Sequence, residues 1–106
     1  LYNVTPDTFT YSSPVGYFST GQSPYGVYDM AGNAWEWVND WYQSDYYSVS
    51  PASNPIGPTA GTYRLLRGGG MFGGNGANPT YWCSTAARSC DGPGANINPF
   101  GFRPVK

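Results

Sequence analysis

Two cysteines and six acidic residues are the side chains of this 106-residue sequence that could do chemistry, and no histidine accompanies them. Cys83 and Cys90 have no Cys/His zinc site to join, and two thiols cannot make a four-thiolate site within one chain. Cys–His nucleophilic catalysis is excluded on the same ground. Their spacing closes a modest loop, so a Cys83–Cys90 disulfide is expected, with two buried free thiols as the alternative. Asp40 and Asp45 suggest a carboxylate pair of the glycosidase kind. They fall on or beside the end of the one helix the sequence predicts, and capping or solvated surface roles account for them.

Positioning falls to few elements. The run 34–42 carries Trp35, Val38, Trp41 and Tyr42 at helical spacing, with Glu36 early, and predicts a short helix. Trp37 stands off that stripe. Residues 43–62 hold too many Pro and Gly breakers for a regular element. Tyr63 to Gly69 reads as a short buried strand ending in a glycine turn. Residues 81–89 give a second strand and Gly101 to Val105 a last one. The stretches 14–25, 70–80 and 90–100 read as loop, and 1–13 as an extended arm or edge strand. The expectation is an α+β domain of short antiparallel strands, one helix and long ordered loops.

Composition narrows the function classes. Charged residues make up 10% of the chain, and its five basic residues form no run, so the electrostatic footprint of a nucleic-acid binder is missing. No apolar stretch is long enough to span a membrane as a helix. The 15 glycines and 10 prolines point toward disorder, but 18% aromatic residues is too much apolar area for a solvated coil. Low charge, abundant Tyr and a disulfide fit an extracellular or cell-surface location. Asn3-Val4-Thr5 has the form of an N-glycosylation sequon.

The run Tyr25-Gly26-Val27-Tyr28-Asp29-Met30-Ala31-Gly32-Asn33-Ala34-Trp35-Glu36-Trp37-Val38 resembles the signature of the formylglycine-generating enzyme, or sulfatase-modifying factor, family. Asn54-Pro55-Ile56-Gly57-Pro58, Arg64-Leu65-Leu66-Arg67-Gly68-Gly69, Ala86-Ala87-Arg88 and Gly101-Phe102-Arg103 resemble its later motifs, in order. The resemblance implies a C-type-lectin-like fold over 14–106 that corresponds to the C-terminal half of the family domain. Either the chain is a fragment, a second copy or a partner chain completes the fold, or it is a minimal version. Oxidase members place two copper-binding cysteines at positions that correspond here to about Asn75 and Thr80. Cys83 is out of register and Cys90 lies beyond the strand, so the chain is expected not to be an enzyme.

The resemblance also implies a structural Ca²⁺ held by the side chains of Asp29 and Glu36 and the carbonyls of Gly32 and Ala34. The residue types agree: Ca²⁺ takes hard oxygen ligands, and Glu36, the chain's single glutamate, sits between two tryptophans where it needs a partner. A pair with Arg67 or Arg103, or a helix cap, satisfies the same need. Arg67 and Arg103, beside glycine turns, are expected to brace loops through backbone carbonyls. Trp35, Trp37 and Trp41 read as core rather than sugar platforms.

Residues 70–100 are small and polar with a few aromatics, a composition suited to contact surfaces. Phe72, Asn75, Asn78, Tyr81, Trp82, Asn96, Asn98 and Phe100 are the candidate ligand-binding residues. Variable proteins of diversity-generating retroelements share the lectin-like fold and diversify such a stretch. Every residue from Phe72 to Phe100 except Trp82 can arise from an asparagine codon by adenine replacement. The expected function is a non-catalytic binding module that meets a protein or glycan at the cell surface. The alternative is a structural subunit of an extracellular assembly or filament with 1–13 as its inter-subunit arm. A cysteine oxidase of the formylglycine type ranks third.

Overall fold

The computed structural model describes residues 9, 12–70, 79–95 and 100–104. Four short strands form one sheet: β1 (Trp35–Trp41), β2 (Arg64–Arg67), β3 (Ser89–Asp91) and β4 (Phe100–Phe102), in the order β3-β2-β1-β4. β2 runs antiparallel to both of its neighbours, while β4 returns parallel to β1. Two single-turn helices, α1 (Tyr46–Val49) and α2 (Pro79–Trp82), lie in the connections. Turns and loops make up most of the remaining described chain, as the Pro and Gly density predicts.

The helix expected near 34–42 is a strand. Trp37 carried the signal that helical spacing ignored: Trp35 and Trp37 fall two apart, as one face of a strand does, before the pairing with β2 shifts register between Trp37 and Trp41. β-branched and aromatic residues suit a pleated, half-buried surface. A central strand covered on both sides also shows apolar residues on both faces, which helical and strand templates share over a short run. The strand expected over 81–89 is displaced as well. Pro79 opens a helical turn, where its fixed φ is tolerated, and pairing begins at Ser89, opposite Leu66. The breaker-rich segment 43–62 admits one regular turn, α1. The expected strand of 63–69 is β2, closed by Gly68 and Gly69 in the left-handed region. The expected last strand is β4, one residue earlier at its start.

The described core is small. Trp35, Leu65, Leu66 and Ala87 are its buried apolar residues. Trp82 meets Trp35 edge-on at 5.4 Å between ring centroids, and Phe100 meets Trp37 at 5.2 Å. Trp41, also expected as core, is half-buried and lies under the Arg64 guanidinium at 3.6 Å from its ring centre. A β-carbon on Gly70 would come within 2.6 Å of Trp35 Cδ1. Gly70→Ala must therefore move a core indole, and an expected loss of about 1–2 kcal/mol would show in a urea titration. An unchanged midpoint would mean that Trp35 is looser than its burial implies.

Candidate functional site

The turn that leads into β1 is shaped by three left-handed residues, Asp29, Gly32 and Asn33. Asp and Asn tolerate that region better than other side-chain-bearing residues, because their short polar groups bond locally. Both side chains are used here. Gly16 N–H donates to Asp29 Oδ2 at 2.8 Å. Ser13 N–H donates to Asn33 Oδ1 at 2.9 Å, and Asn33 Nδ2 donates back to the Ser13 carbonyl at 3.3 Å. Gly32 N–H donates to the Gly68 carbonyl at 2.7 Å, which ties this turn to the one after β2.

Glu36 follows on β1, opposite Arg67 on one side and Gly101 on the other. Arg103, two residues beyond Gly101, forms its ion pair. Nη2 donates to Oε1 at 2.6 Å and Nε to Oε2 at 3.1 Å, a two-point fork on one carboxylate. Nη2 also reaches the Asp29 carbonyl at 3.4 Å. The bond to Glu36 holds the Arg103 guanidinium above its ordinary pKa, against a smaller opposing effect of burial. Of the two arginines the sequence offered to Glu36, the fold uses Arg103. Arg67 instead turns to the Thr85 and Ala87 carbonyls at 2.9 and 3.0 Å, the carbonyl brace expected of it. The four positions read as Ca²⁺ ligands, Asp29, Gly32, Ala34 and Glu36, offer oxygen only, which suits that ion. The fork occupies two of the roughly four lone-pair sites of the Glu36 carboxylate, so a cation would have to share it with Arg103.

The expected Cys83–Cys90 disulfide does not form; both thiols are free. The sheet keeps them apart. Cys90 lies on β3 opposite Leu65, whereas Cys83 Sγ packs against Gly69, where a β-carbon would be 3.0 Å away. Leu65 and Gly69 lie four positions apart, one on β2 and the other in the turn that follows it, so the two thiols sit beside different parts of the chain. Burial pushes both thiols above the ordinary range, with the Asp91 charge adding to the effect at Cys90. Thiolate is thus scarce near neutral pH. Iodoacetamide at pH 7.5 is expected to add to both residues without prior reduction, more slowly than to free cysteine. A native mass with no adduct unless reductant is present would restore the disulfide.

Of the eight loop residues, Phe72, Asn75, Asn78, Asn96 and Asn98 lie outside the described residues. The other three do different work. Tyr81 is 58% exposed and free to meet a ligand. Trp82 and Phe100 are half-buried against Trp35 and Trp37. The Trp82 indole N–H is buried with no acceptor. The arm 1–13 lies mostly outside the described residues, and Ser13 is anchored by Asn33. Asp45 precedes α1 without capping it and accepts from Gln43 Nε2 at 2.9 Å.

Sequence reasoning missed Arg88. It donates to the Gln43 and Ser44 carbonyls, each at 2.8 Å, and lies over the Tyr47 ring at 4.2 Å. All three partners are more than 40 residues away in sequence, so no local pattern announces them.

Residues 2–106 match the family of sulfatase-modifying factor enzyme 1-like domains. The chain is 35% identical over 109 residues to the formylglycine-generating enzyme of Thermomonospora curvata, covering 97% of this chain and 34% of that protein. It is 41% identical over 92 residues to the serine/threonine-protein kinase pkn1 of Chlamydia caviae, covering 79% of this chain and 13% of that one. The solved structure of PvdO from Pseudomonas aeruginosa superposes with a TM-score of 0.71 at 27% identity, over 95% of this chain and 36% of that chain. The chain thus spans little more than a third, at most, of the length of these relatives.

Proposed function

Starting from the chain's membership in the sulfatase-modifying factor enzyme 1-like family, we propose that it is a non-catalytic binding module of that fold, which carries residues 70–100 toward a protein or glycan at a cell surface. The observation that supports this reading is the placement of the thiols. Cys90 lies on β3 opposite Leu65 and Cys83 beside Gly69 in the turn after β2, with no disulfide between them, which supports reading them as thiols outside a two-thiolate centre of the kind a cysteine oxidase would need. Exposed Tyr81, an amphipathic aromatic of the kind that anchors interfaces, stands where the loop re-enters the described chain. Ca²⁺ belongs to the proposal as a second brace on the Asp29–Glu36 turn, beside Arg103.

The test is binding of the fluorescently labelled chain to a glycan array and to intact cells, with Tyr81→Ala alongside. Saturable binding that Tyr81→Ala weakens about thirtyfold is the expected result. The same preparation is incubated with Cu(I), oxygen and a cysteine-containing peptide. Conversion of the peptide cysteine to an aldehyde, read by mass spectrometry, would return the chain to the oxidases. Binding that ignores Tyr81→Ala would remove this surface from the proposal.

A further inference from the structure

Three of the few charged residues in this chain face one hollow. Asp40 from β1, Arg67 from β2 and Arg88 from just before β3 line a cavity of about 260 Å³, with Tyr46 and Tyr47 of α1 as its aromatic wall and buried Leu65 behind them. Arg88 falls within the 70–100 stretch proposed above, just before β3; the other lining residues lie outside it.

The two guanidiniums are fixed by neutral partners. Arg67 holds the Thr85 and Ala87 carbonyls and donates from Nη2 to the Tyr47 hydroxyl at 3.0 Å. Arg88 holds the Gln43 and Ser44 carbonyls. Those bonds set the position of each guanidinium but leave its positive charge without a carboxylate. Among the described residues the one ion pair is Arg103–Glu36. Asp40 is the complement. Its carboxylate packs on Gly57, where a β-carbon would lie 3.0 Å from Asp40 Cγ, and it has no side-chain hydrogen-bond or ion-pair partner among the described residues. Gly57 is itself anchored, its N–H donating to the Tyr46 hydroxyl at 3.0 Å. Both signs of charge are thus held in fixed places around one concave space without neutralising each other.

A ligand that carries one charge of each sign completes such a site. We infer that this hollow binds a small zwitterion of the amino-acid class, with its carboxylate toward Arg67 and Arg88 and its ammonium toward Asp40. A carboxylate on a guanidinium and an ammonium on a carboxylate are both charge-assisted contacts, the stronger kind of hydrogen bond. The tyrosine and leucine walls suit an aliphatic side chain. The volume lies just below the usual range of small-molecule pockets, about 300–1,000 Å³, and suits an amino acid better than a larger cofactor. A saccharide fits less well, because one face of Tyr47 that would stack on a sugar is already covered by Arg88.

Isothermal titration of the 106-residue chain with L-leucine tests the inference, with N-acetyl-L-leucine, L-leucine amide and methyl α-glucoside as comparison probes on the same unmodified protein. Saturable binding of L-leucine is expected. Blocking the ammonium or the carboxylate should each weaken it about tenfold or more. Asp40→Asn, checked for an unchanged melting profile, should act like the loss of the ammonium. No saturable heat with L-leucine overturns the inference. So does N-acetyl-L-leucine binding as tightly as L-leucine, or a preference for the glucoside. Retained loop binding by Asp40→Asn in the array experiment would separate this site from the function proposed above.

Discussion

Leu66→Ala is expected to lower the unfolding free energy by about 2–5 kcal/mol, the range for truncating a fully buried leucine. Leu66 is 1% exposed and sits on β2, between Trp37 of β1 and Ser89 of β3. Both neighbouring strands pair with β2 at this residue, which limits how far the space left by the side chain can close. Only four apolar residues are buried in the described chain, and a domain's whole stability is about 5–15 kcal/mol. The loss is therefore a large fraction of what holds the sheet together. Equilibrium urea denaturation measures it, with Ile56→Ala as the control, because Ile56 is an exposed loop residue. That control should stay within about 0.5 kcal/mol of the parent. A Leu66→Ala loss below about 1 kcal/mol would contradict the close packing of β2 between its neighbours.

Glu36→Ala carries the second large effect. It removes both arms of the Arg103 fork and leaves a guanidinium facing the Asp29 carbonyl alone. The two side chains are 24% and 34% exposed, so water screens the pair in part. Discounted for that, the loss of two charge-assisted bonds is expected to cost about 2–3 kcal/mol. Thermal unfolding in a chelator isolates this contribution from any metal. Adding Ca²⁺ then tests the proposed second brace, since an ion that binds the native state raises the midpoint by mass action. A calcium-dependent rise in the parent that vanishes in Glu36→Ala supports the ion. A midpoint indifferent to calcium, with Glu36→Ala still destabilised, leaves Arg103 as the carboxylate's brace. If Glu36→Ala melted like the parent in chelator, the fork itself would be refuted.

The two results also separate kinds of information in the chain. Strand β2 was legible because Arg64-Leu65-Leu66-Arg67 is a short apolar run closed by two glycines, and both glycines adopt the left-handed backbone that makes the stop. The loops were legible for the same local reason. The α+β class followed from the short elements and the loops between them, and the family from motifs spread in order along the chain, each weak and together specific. β1 was misread because seven residues are too few to separate a period of 3.6 from a period of 2 when aromatics occupy both faces. The partners that settle the matter, Leu66 on β2 and Phe102 on β4, lie far along the chain.

What the sequence determined by itself is therefore whatever depends on near neighbours: where the backbone can turn, where it must stop, which residues are too apolar to leave in water, and which chemistry is absent for want of histidine. The tertiary structure decided every pairing across distance. It gave Glu36 to Arg103 rather than Arg67, separated Cys83 from Cys90 along β2, and gathered Asp40, Arg67 and Arg88 around one hollow. Side-chain chemistry says which groups need partners, but which partner arrives depends on strand order and register. Those are set by the packing of the whole sheet, and no local run of residues encodes them.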